Sequence, residues 1–417
     1  MIRRLRERLR DSPLHRLYRP ISERRQRVEL RVLLERIARV PPDENPEVAM
    51  RNALHVRSQQ RKALPASARD ARIIAVGARG WEVFGLWPAF GRCFDFEFFG
   101  DGIPEPEPFY CHTPEEQVAR SRRILEFVTA SDRERPVHAV FFYADPSNLT
   151  PELFEGLARI GCWSVLMGLD DRHTFVRRRY PGGAVAGVES IAPHVDLYWT
   201  TWRAGTLLHH AIGSRAWMGG YGSDPRYFHP VDPREEYDVL FLGQCYGIRR
   251  ELVSELRALG IRVDCFGWGW EDSGSGWVPF EETVRLFSRA KVVLGMSNVG
   301  NFEDVAIMKG RDFEIPMCGA CYVTQYCEEI GDFFHLGRDI ACYATARECA
   351  EILHCLLRDP GRRAAFRESA LRQSIAHNTW DQRLAEMYDL LRRPLEASIV
   401  PPVRRDLAEA EREARGR

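Results

Sequence analysis

Lysine is nearly absent from this 417-residue chain, in which arginine supplies almost all of the positive charge. Only Lys62, Lys291 and Lys309 are lysines among the 59 basic residues, and 59 acidic residues bring the formal net charge to zero. We therefore predict no nucleic-acid partner, because a polyanion binder usually carries a clear positive excess. Where arginine is so common, a single arginine says little about function, and Lys309 is the more informative cation.

Membrane-spanning, secretory and metal-binding patterns are also missing from the sequence. No apolar run approaches the roughly 20 residues that a transmembrane helix needs, and the N-terminus lacks the apolar core of a secretory signal. Eleven cysteines at irregular spacing are typical of reduced, buried thiols rather than of a disulfide framework. The pair Cys318-x-x-Cys321 has no second pair and no spaced histidines, so we predict no metal site. These features predict a cytoplasmic protein.

The first forty residues form a strongly basic segment. They contain thirteen arginines against five acidic residues, and their apolar residues recur at helical spacing. One interpretation is a solvated helix that packs on the main body of the protein. The other is docking on an anionic membrane surface or an acidic partner, which would make the protein peripherally membrane-associated.

Strand and helix patterns alternate from residue 71 onward. Apolar segments at 72–77, 137–143 and 163–169 predict buried strands, and the last of them ends at the pair Asp170-Asp171. The sequence T-P-E-E at 113–116 predicts a helix start, because Thr as N-cap, Pro at the first position and Glu at the third form a capping box. This alternation predicts an α/β fold with a doubly wound parallel sheet.

A second alternating series follows a segment rich in glycine and proline at 219–230, which we interpret as an interdomain hinge. A strand is predicted at 237–242 and ends in Gly243, and the pattern at 249–259 predicts its helix. Because a turn from strand to helix in this type of fold faces the ligand crevice, Gly243 is a candidate phosphate-binding position.

The segment 309–324 is the most informative in the chain. Lys309, Arg311 and Glu314 lie within six residues, ahead of a small-residue break at 318–320 and an apolar run at 321–323. A cationic helix start followed by a turn into a buried strand can hold a phosphate-bearing ligand, and a carboxylate can bind a pair of sugar hydroxyls. The alternative is an ordinary αβ unit whose charges are solvated.

Four segments together resemble one family. They are G-S-D-P-R-Y-F-H-P at 222–230, D-V-L-F-L-G at 238–243 with R-R-E at 249–251, R-D-F-E-I-P-M-C-G at 311–319 with Thr324, and H-N-T-W at 377–380. They resemble the corresponding segments of the CgeB-like (spore-maturation-type) glycosyltransferases, relatives of glycosyltransferase family 4. The match covers about 70–390 and is stronger after residue 220.

The resemblance implies a GT-B architecture, in which two Rossmann-like domains face each other across a cleft. It assigns 70–222 to the acceptor-side domain and 223–376 to the nucleotide-sugar-binding domain. A basic helical extension at 1–69 precedes them, and 377–417 forms a helix that crosses back, with a charged tail.

The resemblance also implies roles for single residues. Glu314 stands five residues before Gly319, at the second glutamate of the family's E-x₇-E pair, which binds the nucleotide ribose. Ala306 stands where the first glutamate belongs, so the chain departs from the family there, although Glu303 is near at a different spacing. Asp170 and Asp171 stand where relatives carry His-Asp beside the donor sugar and acceptor.

Sugar transfer requires positive groups that accept the charge of the departing diphosphate, and GT-B enzymes supply them without a metal ion. We predict this role for Lys309, Arg311, Arg249 and the turn at Gly243. Glu314 and Gly319 complete the predicted donor-binding residues. The alternative for Arg249 is a solvated helix residue.

We predict that Gly77 and Gly80, in the corresponding turn of the first half, contact phosphate or acceptor. Asp170 or Asp171 is a candidate general base on the acceptor hydroxyl. The alternative is that either carboxylate orients a hydroxyl or caps the following helix.

The sequence therefore predicts a hexosyltransferase-type glycosyltransferase that moves a sugar from a nucleotide-diphosphate donor to an acceptor hydroxyl. The donor is a co-substrate, and no cofactor is predicted. The alternative is a catalytically inactive GT-B-like protein that binds a nucleotide or a glycan. A phosphorylase is disfavoured, because it would need a lysine for pyridoxal phosphate and the chain has only three lysines. The donor sugar, the acceptor, the stereochemistry and the oligomeric state stay open.

Overall fold

The computed structural model describes most of the chain, with several gaps. The described residues are 28–29, 31–41, 45–99, 110–168, 170–231, 234–270, 276–298, 306–398 and 400–406. Most of the arginines of the basic extension predicted at 1–69 fall in residues 1–27, which lie outside the described residues. Glu303 lies outside them as well. Within the described part, residues 31–37 are helical and helix α1 spans Pro46–Ser58. Asn45 caps α1, because its side chain accepts hydrogen bonds from two backbone amides of the first turn.

The first half contains a six-stranded parallel sheet in the order β2-β1-β3-β4-β7-β8. Its strands are β1 (Arg72–Gly77), β2 (Asp95–Phe98), β3 (Ala139–Tyr143), β4 (Trp163–Met167), β7 (Leu197–Thr200) and β8 (Ala216–Met218). A short antiparallel hairpin joins β5 (Arg178–Arg179) to β6 (Val185–Ala186). The sequence analysis did not find β8 or this hairpin, because segments of two or three residues are too short to show a period.

Helices cover the first sheet on both faces, as the alternation predicts. They are α2 (Leu86–Cys93), α3 (Pro114–Glu134), α4 (Pro151–Arg159), α5 (Asp171–Thr174) and α6 (Gly205–Ala211). The predicted capping box at the start of α3 is present: Thr113 accepts from the amide of Glu116, whose carboxylate accepts from the amide of Thr113. The chain between β1 and α2 forms a 3₁₀ turn at Trp81–Phe84.

The second half contains a five-stranded parallel sheet in the order β10-β9-β11-β12-β13. Its strands are β9 (Tyr237–Leu242), β10 (Val263–Phe266), β11 (Ala290–Leu294), β12 (Tyr322–Gln325) and β13 (Ala341–Tyr343). Its helices, with the crossing helix at the end, are α7 (Arg249–Ala258), α8 (Phe280–Arg289), α9 (Arg311–Met317), α10 (Ala346–Arg358), α11 (Pro360–His377) and α12 (Trp380–Arg392). Two parallel sheets with flanking helices confirm the predicted α/β class with two Rossmann-like units.

The two halves are held together by the glycine-rich segment before β9 and by α12. Ser223 pairs with Thr379 through a backbone bridge, so the two crossings lie side by side. Arg92 of α2 makes an ion pair of 2.7 Å with Asp224 and also binds Asp381 of α12. The helix that follows the second domain therefore packs on the first domain.

Apolar burial continues from one half into the other. One core cluster includes Phe90 and Phe141 from the first half together with Met308 and Phe313 from the second. Because these side chains are withdrawn from water on both sides of the hinge, the hydrophobic effect stabilises the closed approach of the two sheets. In the described ranges, none of the helices combines the length and apolar character required to cross a bilayer.

Candidate functional site

A cavity of about 590 Å³ lies between the two halves. The turn after β1, the ends of β3 and β4, the hairpin of the first half and the start of α9 all contribute to its lining. Ligands of open parallel sheets bind outside the carboxyl ends of the strands, and this cavity has that position in the first sheet. Four of the predicted site residues line it: Asp170, Lys309, Arg311 and Glu314.

Lys309 lies immediately before α9 and faces the first half. Its ammonium Nζ is 2.8 Å from Oδ1 of Asp170, which makes a cross-cleft ion pair between side chains that are 22% and 46% exposed. The backbone amide of Lys309 donates to Asp312 at 2.6 Å, so a protein carboxylate already occupies that amide. The helix start therefore presents its lysine side chain, rather than the Lys309 amide, to a ligand.

Glu314 is held between the two halves. It is 7% exposed; one oxygen accepts from the indole Nε1 of Trp81 at 2.5 Å and the other from Arg311 at 3.0 Å. The Arg311 guanidinium lies 4.4 Å from the centre of a Trp81 ring, within the range of a cation–π contact. Burial raises the pKa of Glu314, and the charge of Arg311 opposes this shift. Glu314 is thus a buried carboxylate with a fixed orientation.

Asp312 lies in the same segment, but the sequence analysis gave it no role in the site. Its buried carboxylate accepts from the hydroxyl of Tyr322 at 2.7 Å and from Thr324 at 3.2 Å, in addition to the amide of Lys309. These bonds tie the start of α9 to β12. The only sequence signal was the position of Asp312 in the first turn of α9, from which a short carboxylate can reach back to the amide three residues earlier.

The two adjacent aspartates occupy different environments. Asp170 lines the cavity, has a positive φ of 56° and is the only non-glycine residue with positive φ in the described ranges. Asp171 is 1% exposed and accepts from the hydroxyls of Tyr198 at 2.8 Å and Thr200 at 2.6 Å. Burial raises the pKa of Asp171 to about 6, and the two hydrogen bonds partly oppose that shift.

The turn after β4 explains why Asp170 lines the cavity and Asp171 is buried. A Cβ at Gly168 would lie 2.1 Å from Oδ1 of Asp171, so only glycine lets the buried carboxylate approach the strand end. Anchored in this way, Asp171 turns its neighbour Asp170 toward the cavity. Asp170 stands at the N-cap position of α5 without making a side-chain cap hydrogen bond. The helix-capping alternative is therefore wrong for the Asp170 side chain, and Asp171 does not line the cavity.

Arg249 has a different place in the structure from the one predicted for it beside the diphosphate. Arg249 is 8% exposed, so the alternative of a solvated helix residue is wrong. Its guanidinium donates to the carbonyl of Gln244 at 2.9 Å, to the hydroxyl of Tyr246 at 2.9 Å and to the carbonyl of Met296 at 3.2 Å. Burial lowers the pKa of Arg249. It braces the turn after β9 and does not line the interdomain cavity.

The four predicted glycines lie at turns but do not line the cavity. Gly77 and Gly243 directly end or follow strands β1 and β9, as predicted. Gly80 is exposed, and its amide donates to Glu82 at 3.1 Å. Gly319 has φ +65°, and a Cβ there would lie 2.9 Å from Pro230. The requirement for glycine at 319 thus comes from the turn after α9 and its contact with the hinge.

Several cavity residues were missed or not weighed as site residues. They are Trp81, Glu82, Tyr110, Tyr143, Asp145, Arg178 and Tyr180; His173 also lines the cavity. Trp81 follows Gly80 in the turn after β1, and that position was the one available signal. The others come from separate segments and meet only in the folded chain. Burial raises the pKa of Glu82 and lowers that of His173.

Comparison with known proteins agrees with this architecture. Residues 249–389, about a third of the chain, match the family model described as Glycosyl transferase-like. Among curated proteins, none gives a significant sequence match.

Three solved structures illustrate the likeness in fold. Sucrose-phosphate synthase from Thermosynechococcus elongatus has a TM-score of 0.51 at 12% identity, over 79% of this chain and 100% of that one. HepE from Anabaena, in complex with UDP-glucose, has a TM-score of 0.52 at 11% identity, over 76% of this chain and 99% of that one. A glycosyltransferase from Rickettsia africae has a TM-score of 0.51 at 9% identity, over 79% and 100%. The chain therefore has a GT-B fold whose second half carries a glycosyl transferase-like segment.

Proposed function

We propose that this chain is a glycosyltransferase that moves a hexose from a nucleoside-diphosphate sugar to an acceptor hydroxyl. The observation that carries the proposal is the convergence of Lys309, Arg311 and Glu314 on the cavity between two Rossmann-like units. Two cations and an oriented carboxylate match the two parts of such a donor, its diphosphate and its ribose. UDP-sugars are the first donors to test, since HepE of the same fold has been described in complex with UDP-glucose.

Glu314 is the proposed ribose ligand. Both of its oxygens already accept hydrogen bonds, from Trp81 and Arg311, which fixes the plane of the carboxylate before a ligand arrives. A carboxylate has about four lone-pair positions, so two hydroxyls can be accepted alongside the existing partners. Hydrogen bonds to a charged acceptor contribute about 1.5–3 kcal/mol each.

Lys309 and Arg311 are the proposed diphosphate ligands. As the bond from the anomeric carbon to the β-phosphate oxygen breaks, its electron pair stays on the diphosphate, and a nearby ammonium stabilises that charge. In the structure, Lys309 pairs with Asp170. Donor binding therefore exchanges a carboxylate partner for a phosphate partner at Nζ. We propose that these two cations do the work that a metal ion does in other transferases.

Asp170 is the proposed partner of the acceptor. Once Lys309 turns to the diphosphate, the carboxylate of Asp170 is left facing the cavity with a spare charge. The acceptor oxygen forms the new bond to the anomeric carbon, and its proton passes either to Asp170 or to the departing diphosphate. Replacing Asp170 with asparagine distinguishes these routes, because only the first needs a carboxylate at this position and should lose turnover in the variant.

A second candidate function is binding without turnover. Ala306 occupies the position of the family's first glutamate; it is 8% exposed, and its carbonyl accepts from Arg172 at 3.1 Å. A side chain without a carboxylate at this position favours a GT-B-like protein that holds a nucleotide or glycan.

Nucleotide release from a panel of UDP-, GDP- and dTDP-sugars separates the two functions. The transferase predicts release by the wild-type chain that is lost in Glu314→Ala and Lys309→Ala. The matched control is Lys291→Ala, because Lys291 pairs with Asp238 of β9 and does not line the interdomain cavity. Nucleotide binding without release, with every donor and acceptor offered, would favour the binding protein.

A further inference from the structure

The cavity continues beyond the donor-binding groups onto a wall built by the first half alone. Tyr110, Tyr143, Asp145, Arg178 and Tyr180 line this part, and none of them is used by the proposed donor interactions. Tyr110 precedes α3, Tyr143 ends β3, Asp145 follows β3, and the other two belong to the β5-β6 hairpin. We call these five residues the tyrosine wall.

The tyrosine wall is held in a defined arrangement. The rings of Tyr110 and Tyr180 lie 6.4 Å apart at 82°, an edge-to-face pair. The hairpin fixes Tyr180, whose backbone amide donates to Ala184 at 2.9 Å. Asp145 accepts from the amide of Ser147 at 2.8 Å, so its carboxylate is oriented. These side chains form a surface of aromatic faces beside a fixed acceptor of hydrogen bonds.

The protonation of this surface suits hydroxyl recognition. Burial, reinforced by the charge of Asp145, raises the pKa of Tyr110 to about 12. The same two causes raise the pKa of Tyr180. Both phenols therefore stay neutral near pH 7 and can each donate and accept a hydrogen bond.

The charges on the two sides of the cavity differ in sign. The first half contributes Glu82, Asp145 and Asp170 against Arg178, whereas the second half contributes Lys309 and Arg311 against Glu314. A phosphate-bearing acceptor would meet repulsion from the carboxylates of the first half. Neutral hydroxyls, in contrast, donate well to carboxylates, and the apolar face of a sugar ring packs on an aromatic side chain.

We propose that the tyrosine wall is an acceptor subsite for a neutral carbohydrate. One sugar ring packs against Tyr180 and Tyr110, a hydroxyl of that sugar donates to Asp145, and the reacting hydroxyl lies toward Asp170. Asp170 lines the same cavity and contacts Lys309 directly, so a hydroxyl beside Asp170 lies next to a proposed diphosphate ligand. This inference rests on the proposed function and names the substrate class of its second site.

The test is acceptor-stimulated nucleotide release by the full chain. Three kinds of acceptor are offered with the best donor: neutral disaccharides such as cellobiose and lactose, a polyprenyl phosphate in detergent, and a serine-containing peptide. We expect a neutral disaccharide to accelerate release at least tenfold over donor hydrolysis alone. Tyr180→Ala should raise the KM for that acceptor about tenfold, a larger change than in the donor KM. Tyr180→Phe, which keeps the ring, should restore most of the affinity.

The matched control is Tyr326→Ala, because Tyr326 is 50% exposed and lies outside the interdomain cavity. Stimulation by the polyprenyl phosphate or the peptide alone would overturn the inference. So would a wild-type protein that hydrolyses the donor but is neither stimulated by a neutral sugar nor shows contact with one in saturation-transfer NMR. A protein that neither binds nor hydrolyses any donor would instead end the proposed function and this inference with it.

Discussion

The two sides of the interdomain cavity are assembled in opposite ways. The second half presents Lys309, Arg311 and Glu314 from six consecutive positions at the start of α9. The first half gathers Trp81, Asp170 and the tyrosine wall from turns that are far apart in the chain. The donor side is thus a local motif that a sequence can display, and the acceptor side is a product of tertiary structure. Substitutions on the two sides should separate donor chemistry from acceptor chemistry.

Removal of the lysine on the donor side should have the largest effect. Lys309→Ala takes away the cation that we place on the diphosphate, and we expect kcat/KM for nucleotide release to fall by about 10²–10³-fold. Steady-state release assays at saturating acceptor measure this. Lys291→Ala should behave as wild type, because Lys291 lies outside the cavity with Asp238. Equal activity of the two variants would show that the cavity cation takes no part in turnover.

Loss of the buried carboxylate on the same side should come next. Glu314→Ala removes the proposed ribose contacts; the loss of one of them, worth about 1.5–3 kcal/mol, already weakens donor binding about 10- to 100-fold. Isothermal titration with the nucleoside diphosphate measures the change. Glu155→Ala, at an exposed position of α4, is the control. Unaltered affinity in Glu314→Ala would remove the ribose role.

Trp81 links the two sides, and its substitution should have a smaller effect. Trp81→Phe deletes the indole donor to Glu314, and we expect donor affinity to fall about fivefold, which corresponds to ~1 kcal/mol. In the Glu314→Ala background the same substitution should cost almost nothing, because the partner is already absent. A double-mutant cycle with purely additive effects would mean that Trp81 does not act through Glu314.

The two adjacent aspartates should contribute differently to the pH dependence of the free energy of unfolding. Because burial raises the pKa of Asp171 from 3.8 to about 6, the folded protein binds more protons than the unfolded chain between these values. The contribution of Asp171 to the free energy of unfolding therefore falls as the pH rises from about 4 to about 6, by on the order of 1–3 kcal/mol.

Urea titrations across pH 4–7 should show this contribution in the wild type and in Asp170→Asn. It should be missing in Asp171→Asn, which has no titrating carboxyl at that position. Identical pH dependence in all three proteins would contradict the assignment of the buried carboxylate.

Elements with a clear local pattern could be predicted from the sequence, and elements without one could not. The bounds of β1 and β9 agree with the predicted segments at 72–77 and 237–242, because each is an apolar run closed by a glycine. The helix start at Thr113 was predictable from its capping box. Short strands such as β8 carry too few residues to show a pattern.

Contacts between the halves were out of reach of the sequence. Glu314 and Trp81 are 233 positions apart, and Lys309 and Asp170 are 139 apart. No local pattern relates such pairs, since hydrophobic periodicity reports only on neighbours along one element. The different environments of Asp170 and Asp171 also required the structure, because burial and the hydroxyls of β7 decide which carboxylate faces the cavity.

Calorimetric titration of nucleoside diphosphates into the wild type, Lys309→Ala and Lys291→Ala tests the central claim most directly. According to that claim, the charged residues at the start of α9 bind a diphosphate in the interdomain cavity. The account predicts that at least one of UDP, GDP and dTDP binds the wild type and Lys291→Ala equally, and binds Lys309→Ala at least tenfold more weakly. Equal binding to all three proteins, or no binding of any of these nucleotides to the wild type, would contradict it.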